Sequence, residues 1–307
     1  MLNKITDIHS HCGGIDMSNF INLKHPSSQN IIDLHNTIID NDVDFAVVFP
    51  MPTTIYFHLK KYWESNIFVP SGMSDFPYQY ENINLLKSIS HFGYSNFLPF
   101  VSFSLRDKLN EQIKSLEELI EDHDIFGIKY HTSVEQISIL DINECKLLIN
   151  FADKYNLPFM IHSSRKDTCD PKLIIELAKK NPNLRFCAAH AGYLKMDFFE
   201  LLDVYKLDNL FFDVSPFMNF CKLYSNHLPD NTINLCYSQP ITAFNELADK
   251  YRDHMLWGSD APWYYSADLQ CESDLITYTE NVNILKKSTH IEQVSKNTIR
   301  YLFGKTY

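Results

Sequence analysis

An α/β fold, with eight parallel strands closed into a (β/α)8 barrel, is what the sequence predicts, and three observations carry it. Short apolar runs alternate with longer amphipathic ones from end to end. Glycine is scarce, only 8 in 307 residues, and no Gly-rich phosphate turn follows the first run. Histidine and aspartate recur where the apolar runs end, and in a barrel those strand ends share one face. An open doubly wound sheet is the rival, but Cys12-Gly13-Gly14 does not match GxGxxG.

The strands are expected at Ile5–Cys12, Val43–Met51, Phe97–Leu105, Ile125–Ser133, Pro158–Ser164, Leu184–Gly192, Leu210–Phe217 and Met255–Trp263. All are rich in β-branched or aromatic residues, as strands covered on both faces should be. Helices are expected at Asn30–Asp40, Glu81–Phe92, Leu109–Asp122, Glu144–Tyr155, Pro171–Lys180, Met196–Leu207 and Thr242–Asp253, with a closing one over His290–Gly304. In Leu109–Asp122, Ile113, Leu116, Leu119 and Ile120 give one apolar stripe. Asp170 before Pro171 is a helix start, and Gly304 is a helix stop. No repeat or linker divides the chain, so a single TIM-barrel domain over residues 1–307 is expected.

Two connections are too long for ordinary barrel loops, 52–80 after strand two and 218–240 after strand seven. The first carries Tyr56, Phe57, Tyr62, Trp63, Phe76, Tyr78 and Tyr80. These aromatics either pack on one another or form a lid over a substrate.

Composition narrows the function. A net charge of −11 with no Lys/Arg run longer than two argues against a nucleic-acid partner. No apolar stretch reaches the length of a membrane span, and Met1–Asp7 does not read as a signal peptide. Seven cysteines without a CxxC pair read as reduced thiols, and a cytoplasmic location is expected. The expected partner is a small molecule; a homodimer is left open.

His9 and His11 end the first strand two residues apart, so both imidazoles share a face. His162 ends strand five, His190 strand six and Asp260 strand eight. Neutral imidazoles with a carboxylate are the donor set of a divalent-metal site with a position left for water. Cys12, beside His11, points to the other side of its strand and reads as core.

The order His9-x-His11, His162, His190, Asp260 resembles the amidohydrolase superfamily. The surrounding text is similar to its branch that includes aminocarboxymuconate-semialdehyde decarboxylase. Matching segments are Asp7–His11, Gly127–His131, His190–Gly192, Phe212–Ser215, Gly258–Trp263 and Asn297–Gly304, where Thr298 replaces the usual alanine. The resemblance implies zinc or manganese, one or two ions, held by His9, His11, His162 and Asp260. It also implies a catalytic His190 beside the ion, with Asp260 accepting and passing a proton.

Lys129 keeps three readings: a carboxylated bridge between two ions with His162 and His190 on the second, a clamp for a substrate carboxylate, or a paired structural lysine. His131 and Arg165 are candidate substrate contacts; Lys166 and Lys195 read as solvated. Trp263 is a candidate wall of the site, with Tyr264 and Tyr265 beyond it.

The leading expectation is hydrolysis of an amide, ester or lactone bond in a small, carboxylate-bearing molecule. A metal-dependent decarboxylase is the alternative. A phosphodiester-directed hydrolase and a non-catalytic metal-binding scaffold stand further off.

Overall fold

The structure is a computed structural model that describes residues 4–13, 29–51, 54–65, 67–263 and 276–304. Tyr264, Tyr265 and Cys271 lie outside the described residues. Eight parallel strands follow one another around the sheet in chain order: β1 (Thr6–Cys12), β2 (Phe45–Pro50), β3 (Phe97–Ser102), β4 (Gly127–Tyr130), β5 (Phe159–Ile161), β6 (Phe186–Ala188), β7 (Leu210–Asp213) and β8 (Met255–Leu256). Beyond β8 the chain runs on beside β1. Ile8 N donates to Trp257 O at 3.2 Å and His11 N to Ala261 O at 2.7 Å, closing the ring. This is the expected (β/α)8 barrel.

Helices alternate with the strands: α1 (Ile31–Asp40), α2 (Leu59–Ser65), α3 (Gln79–Phe92), α4 (Leu109–Asp122), α5 (Thr132–Glu135), α6 (Asp141–Glu144), α7 (Lys146–Lys154), α8 (Lys172–Lys180), α9 (Met196–Tyr205), α10 (Phe217–Asn226), α11 (Pro240–Lys250), α12 (Tyr278–Lys287) and α13 (Ile291–Phe303). Local chemistry sets the ends. The Asn30 side chain accepts from the Ile32 and Asp33 amides at the start of α1, and Thr277 with Glu280 forms a capping box on α12. Gly304 ends α13 at φ +68°.

Two layers of apolar packing result. Outward-facing strand residues such as Val48, Ile128, Ile161 and Phe212 meet the helices, including Ile113 and Leu116 of α4. Inward-facing Val47, Phe49, Phe100, Met160, Cys187, Phe211 and Leu256 fill the barrel, and Tyr301 of α13 joins them. Gly127 is required here, since a Cβ would lie 2.4 Å from the Phe100 ring.

The strands stop earlier than the apolar runs suggest. β5 and β6 are three residues each, and Ala189–Leu194 forms 3-10 turns with positive φ from His190 to Leu194. Apolarity continues past each strand because the turns are buried too. Both long connections are present, and each carries a helix, α2 in the first and α10 in the second. No helix among the described residues is long and apolar enough to cross a membrane.

Candidate metal centre

The centre begins on β1. His9 and His11 are both buried, and their Nε2 atoms lie 3.2 and 3.3 Å from one oxygen, Oδ1 of Asp260. One donor atom from each of the three residues falls within 4.8 Å of the others. Asp260 sits beyond β8 in left-handed backbone, φ +60°, a conformation that costs a non-glycine residue energy and recurs at functional sites. Gly258 makes the approach to β1 possible, because a Cβ there would lie 2.6 Å from the His9 Cβ.

Hydrogen bonds fix how the imidazoles present themselves. Nδ1 of His9 faces Asp213 Oδ2 at 3.0 Å and Ser215 Oγ at 2.9 Å, so its proton belongs there and Nε2 is left as a bare donor. Nδ1 of His190 donates to the Ser215 carbonyl at 2.8 Å. Its Nε2 must then accept, and His162 Nδ1 lies 3.0 Å away. His162 stacks on His131 with centroids 4.5 Å apart, and His131 is 6.1 Å from His11.

Asp213, to which the sequence assigned no role, also converges on the centre. It ends β7, is fully buried, and accepts from the His190 amide at 3.3 Å and the Ser215 amide at 2.9 Å. With His9 and His190 it makes a second convergence of donor atoms. The signal was present: one acid ends the otherwise apolar run Leu210–Asp213.

Lys129, on β4, is buried with Nζ 3.1 Å from His9 Nε2 and 4.3 Å from the centre of the Phe49 ring. Burial lowers its ammonium to about 8, against the pull of Asp213 and Asp260. Burial, reinforced by the Lys129 charge, holds His9 and His11 well below the ordinary imidazole value. His162 is lowered well below it too, by burial and then by His131 and His190. Burial takes His190 to about 4, and pushes Asp260 well up against the counter-effect of Lys129. The imidazoles are therefore neutral near pH 7, which is the form that binds a metal. Nitrogen and carboxylate donors at these separations fit a divalent cation, with Asp213 and Ser215 orienting His9.

Around the rim, Trp263 meets His11 edge-on with centroids 6.4 Å apart and packs with Phe57, Tyr62 and Val134. Arg165 spans the neighbouring turns, with Nη1 on the Asp230 carbonyl at 3.1 Å and Nη2 on Thr232 Oγ1 at 2.6 Å and the Tyr193 carbonyl at 3.3 Å. Lys166 is exposed, whereas Lys195 is buried and pairs with Asp170. The described cysteines are all free, and Cys12 packs in the outer core.

Solved structures share this architecture at low identity. A protein from Acinetobacter baumannii described as a 2-pyrone-4,6-dicarboxylic acid hydrolase aligns with a TM-score of 0.59 at 15% identity over 98% of this chain and 100% of its own. The 2,6-dihydroxybenzoate decarboxylase from Rhizobium gives 0.60 at 11% over 97% and 98%. An amidohydrolase from Burkholderia multivorans with bound zinc gives 0.59 at 10% over 97% and 99%. No curated protein matches the chain. The amidohydrolase family model matches residues 91–272, a span that takes in Lys129, His162, His190, Asp213 and Asp260 and leaves out His9 and His11. The chain belongs to the amidohydrolase family.

Proposed function

We propose that the protein is a metal-dependent hydrolase that opens an amide, ester or lactone bond in a small, carboxylate-bearing molecule. The observation that carries this reading is the convergence of His9 Nε2, His11 Nε2 and Asp260 Oδ1 beside neutral imidazoles. His162 is the proposed fourth ligand. In a two-ion form a carboxylated Lys129 would help to hold both ions, and His162 and His190 would hold the second. A divalent ion supplies Lewis acidity there, polarising a carbonyl and lowering the pKa of water. The protein's own groups move the protons. Asp260 is the proposed group that takes a proton and hands it to the leaving group. His190, hydrogen-bonded to His162, is the proposed group that orients the carbonyl or shuttles a proton. Lys129, His131, Arg165 and Trp263 are the proposed substrate contacts, the cations for a carboxylate and the indole for a flat apolar face.

A non-oxidative decarboxylase is the second reading. It is favoured by the buried Lys129 amine, which as a free cation beside His9 would hold a substrate carboxylate. Solved structures of the same architecture carry names for each reaction.

Elemental analysis tests the common premise. The wild type is expected to hold one or two equivalents of zinc or manganese, and His9→Ala/His11→Ala to lose them. Equal metal content in the two proteins would remove the centre from this place. With a turned-over substrate, release of carbon dioxide separates the lyase from the hydrolase.

A further inference from the structure

The sheet does not place Asp260. β8 ends at Leu256, four residues earlier. The bonds from the following stretch to β1 run from Ile8 N to Trp257 O and then from Asp260 N to His9 O at 2.8 Å, so the ladder skips Ser259. β1 is irregular at the same level, where three steps from Asp7 to Ser10 face two on β2, from Ala46 to Val48. An interruption of this kind turns side chains towards a site but leaves backbone amides without strand partners.

One carboxylate takes those amides. Asp7 Oδ1 accepts from His9 N at 3.0 Å and from Ser259 N at 2.9 Å. Its Oδ2 accepts from Ser259 Oγ at 2.6 Å and from Tyr278 Oη at 3.0 Å, at the first residue of α12. Ser259 Oγ in turn accepts from Ala261 N at 3.0 Å. Asp7 is fully buried, and these four bonds all run from donors to its carboxylate. The amides it holds belong to a ligand candidate, His9, and to the residue just before another, Asp260.

We infer that Asp7 is a positioning residue for the metal centre: its carboxylate replaces the missing ladder between β1 and the stretch after β8, and so sets the separation of His9 and Asp260. The inference rests on the metal-binding reading proposed above. Asp7 bonds to the backbone beside both residues and not to the donor atoms that converge there. Its loss would let the left-handed turn at Asp260 relax and spread the donor atoms, while the apolar layers on both sides of the sheet remain.

The test uses the metal-free full chain with Asp7→Asn and Asp7→Ala, titrated with zinc against a chromophoric chelator. Melting temperature and amide exchange over 257–261 are followed on the same samples. Zinc affinity is expected to fall by roughly 10–100-fold, more for alanine than for asparagine, the scale of losing an outer partner of a metal ligand. Amide exchange at Ser259 and Asp260 should quicken in both. A lower melting temperature with unchanged zinc affinity would reduce Asp7 to a structural residue and overturn the inference. If alanine prevents folding, the asparagine variant decides. If the wild type itself binds no zinc, the metal reading fails, and amide exchange then judges Asp7 alone: unchanged exchange overturns its role and faster exchange upholds the staple.

Discussion

Two buried polar clusters flank β4, and they use the same chemistry to opposite ends. In the barrel mouth, nitrogen donors and one carboxylate oxygen face one another, and hydrogen bonds occupy the far side of the His9 and His190 rings. In the loops that follow β2, β3 and β4, Glu135 is already satisfied by donors, and Glu81 holds one amide while its Oε2 is buried without a partner among the described residues. The carboxyl of Glu135 accepts from Ser104 Oγ and from Tyr78 Oη, and its carbonyl takes Arg106 Nε at 2.9 Å and Tyr62 Oη at 2.9 Å. Glu81 accepts from the Ile55 amide. The second cluster ties α2, α3 and the turn after β3 to α5 and leaves little for a ligand to do. What distinguishes a site from a polar knot is the direction of the lone pairs, not the number of buried charges.

The sharpest way to break this contrast is to remove the carboxylate that faces both His9 and His11, Asp260. Asp260→Asn should abolish turnover and lower zinc affinity by at least about 100-fold with the fold kept. An amide keeps the shape but neither takes a proton nor binds a metal well. Retention of most activity would make Asp260 neither ligand nor proton carrier. By contrast, Glu135→Gln keeps an acceptor for one of the two hydroxyls, Ser104 or Tyr78, and should leave zinc affinity untouched.

Both clusters also act on stability, with opposite signs of pH dependence. The mouth imidazoles, lowered by burial, stay neutral when folded, so unfolding takes up protons and stability is lost as pH falls below about 6.5. Glu81 and Glu135 are raised by burial to about 7. Their folded forms keep the proton that the unfolded chain releases above the ordinary carboxylate value, 4.5. Their contribution is full below 4.5 and is lost as pH rises to about 7. Near pH 6 the two effects oppose each other. Glu81→Gln/Glu135→Gln should therefore steepen the acid-side loss of stability by up to about 2.7 kcal/mol per pH unit, two protons at about 1.36 each. Chemical unfolding at pH 5, 6 and 7 measures it, and parallel pH profiles for variant and wild type would refute the opposition.

The legible part of this molecule is what a local pattern can carry. Alternating runs gave the barrel, and strand ends pointed to His9, His11, His162, His190 and Asp260, which the fold brings into one mouth. Residues whose role comes from a distant partner were not legible. Asp213 serves His9 across 204 positions, and Asp7 serves Ser259 across 252. Glu135 has no motif around it, and Tyr62 and Tyr78 look like any aromatics of a long loop until they reach its carbonyl and carboxyl. The left-handed turn from His190 to Gly192 reads as strand because its residues are buried and mostly apolar. Sequence periodicity reports burial, and here burial outlasts the strands.

Lys129 gives the smallest and most discriminating effect, because it is the one cation set against the imidazoles of the mouth among the described residues. Its amine is buried against His9 Nε2 and has been brought down to about 8, so an appreciable neutral fraction exists near neutrality to take up carbon dioxide. A carbamate would turn a cation that repels metal into two oxygens that bridge a pair of ions. On that basis Lys129→Ala is expected to lower the metal count from two ions to one, with added short-chain carboxylates partly restoring activity by filling the gap. A substrate clamp behaves differently: the count stays the same, the Michaelis constant rises, and the carboxylates compete. The charge itself leaves a further trace. Lys129 is the second cause, after burial, of the lowered His9 and His11 values, so alanine should relieve part of that lowering and make the metal-free protein less acid-labile by a fraction of a pH unit. Metal analysis, kinetics and an acid-unfolding curve on one preparation separate the three readings. An unchanged count with a raised Michaelis constant would leave the bridge without support.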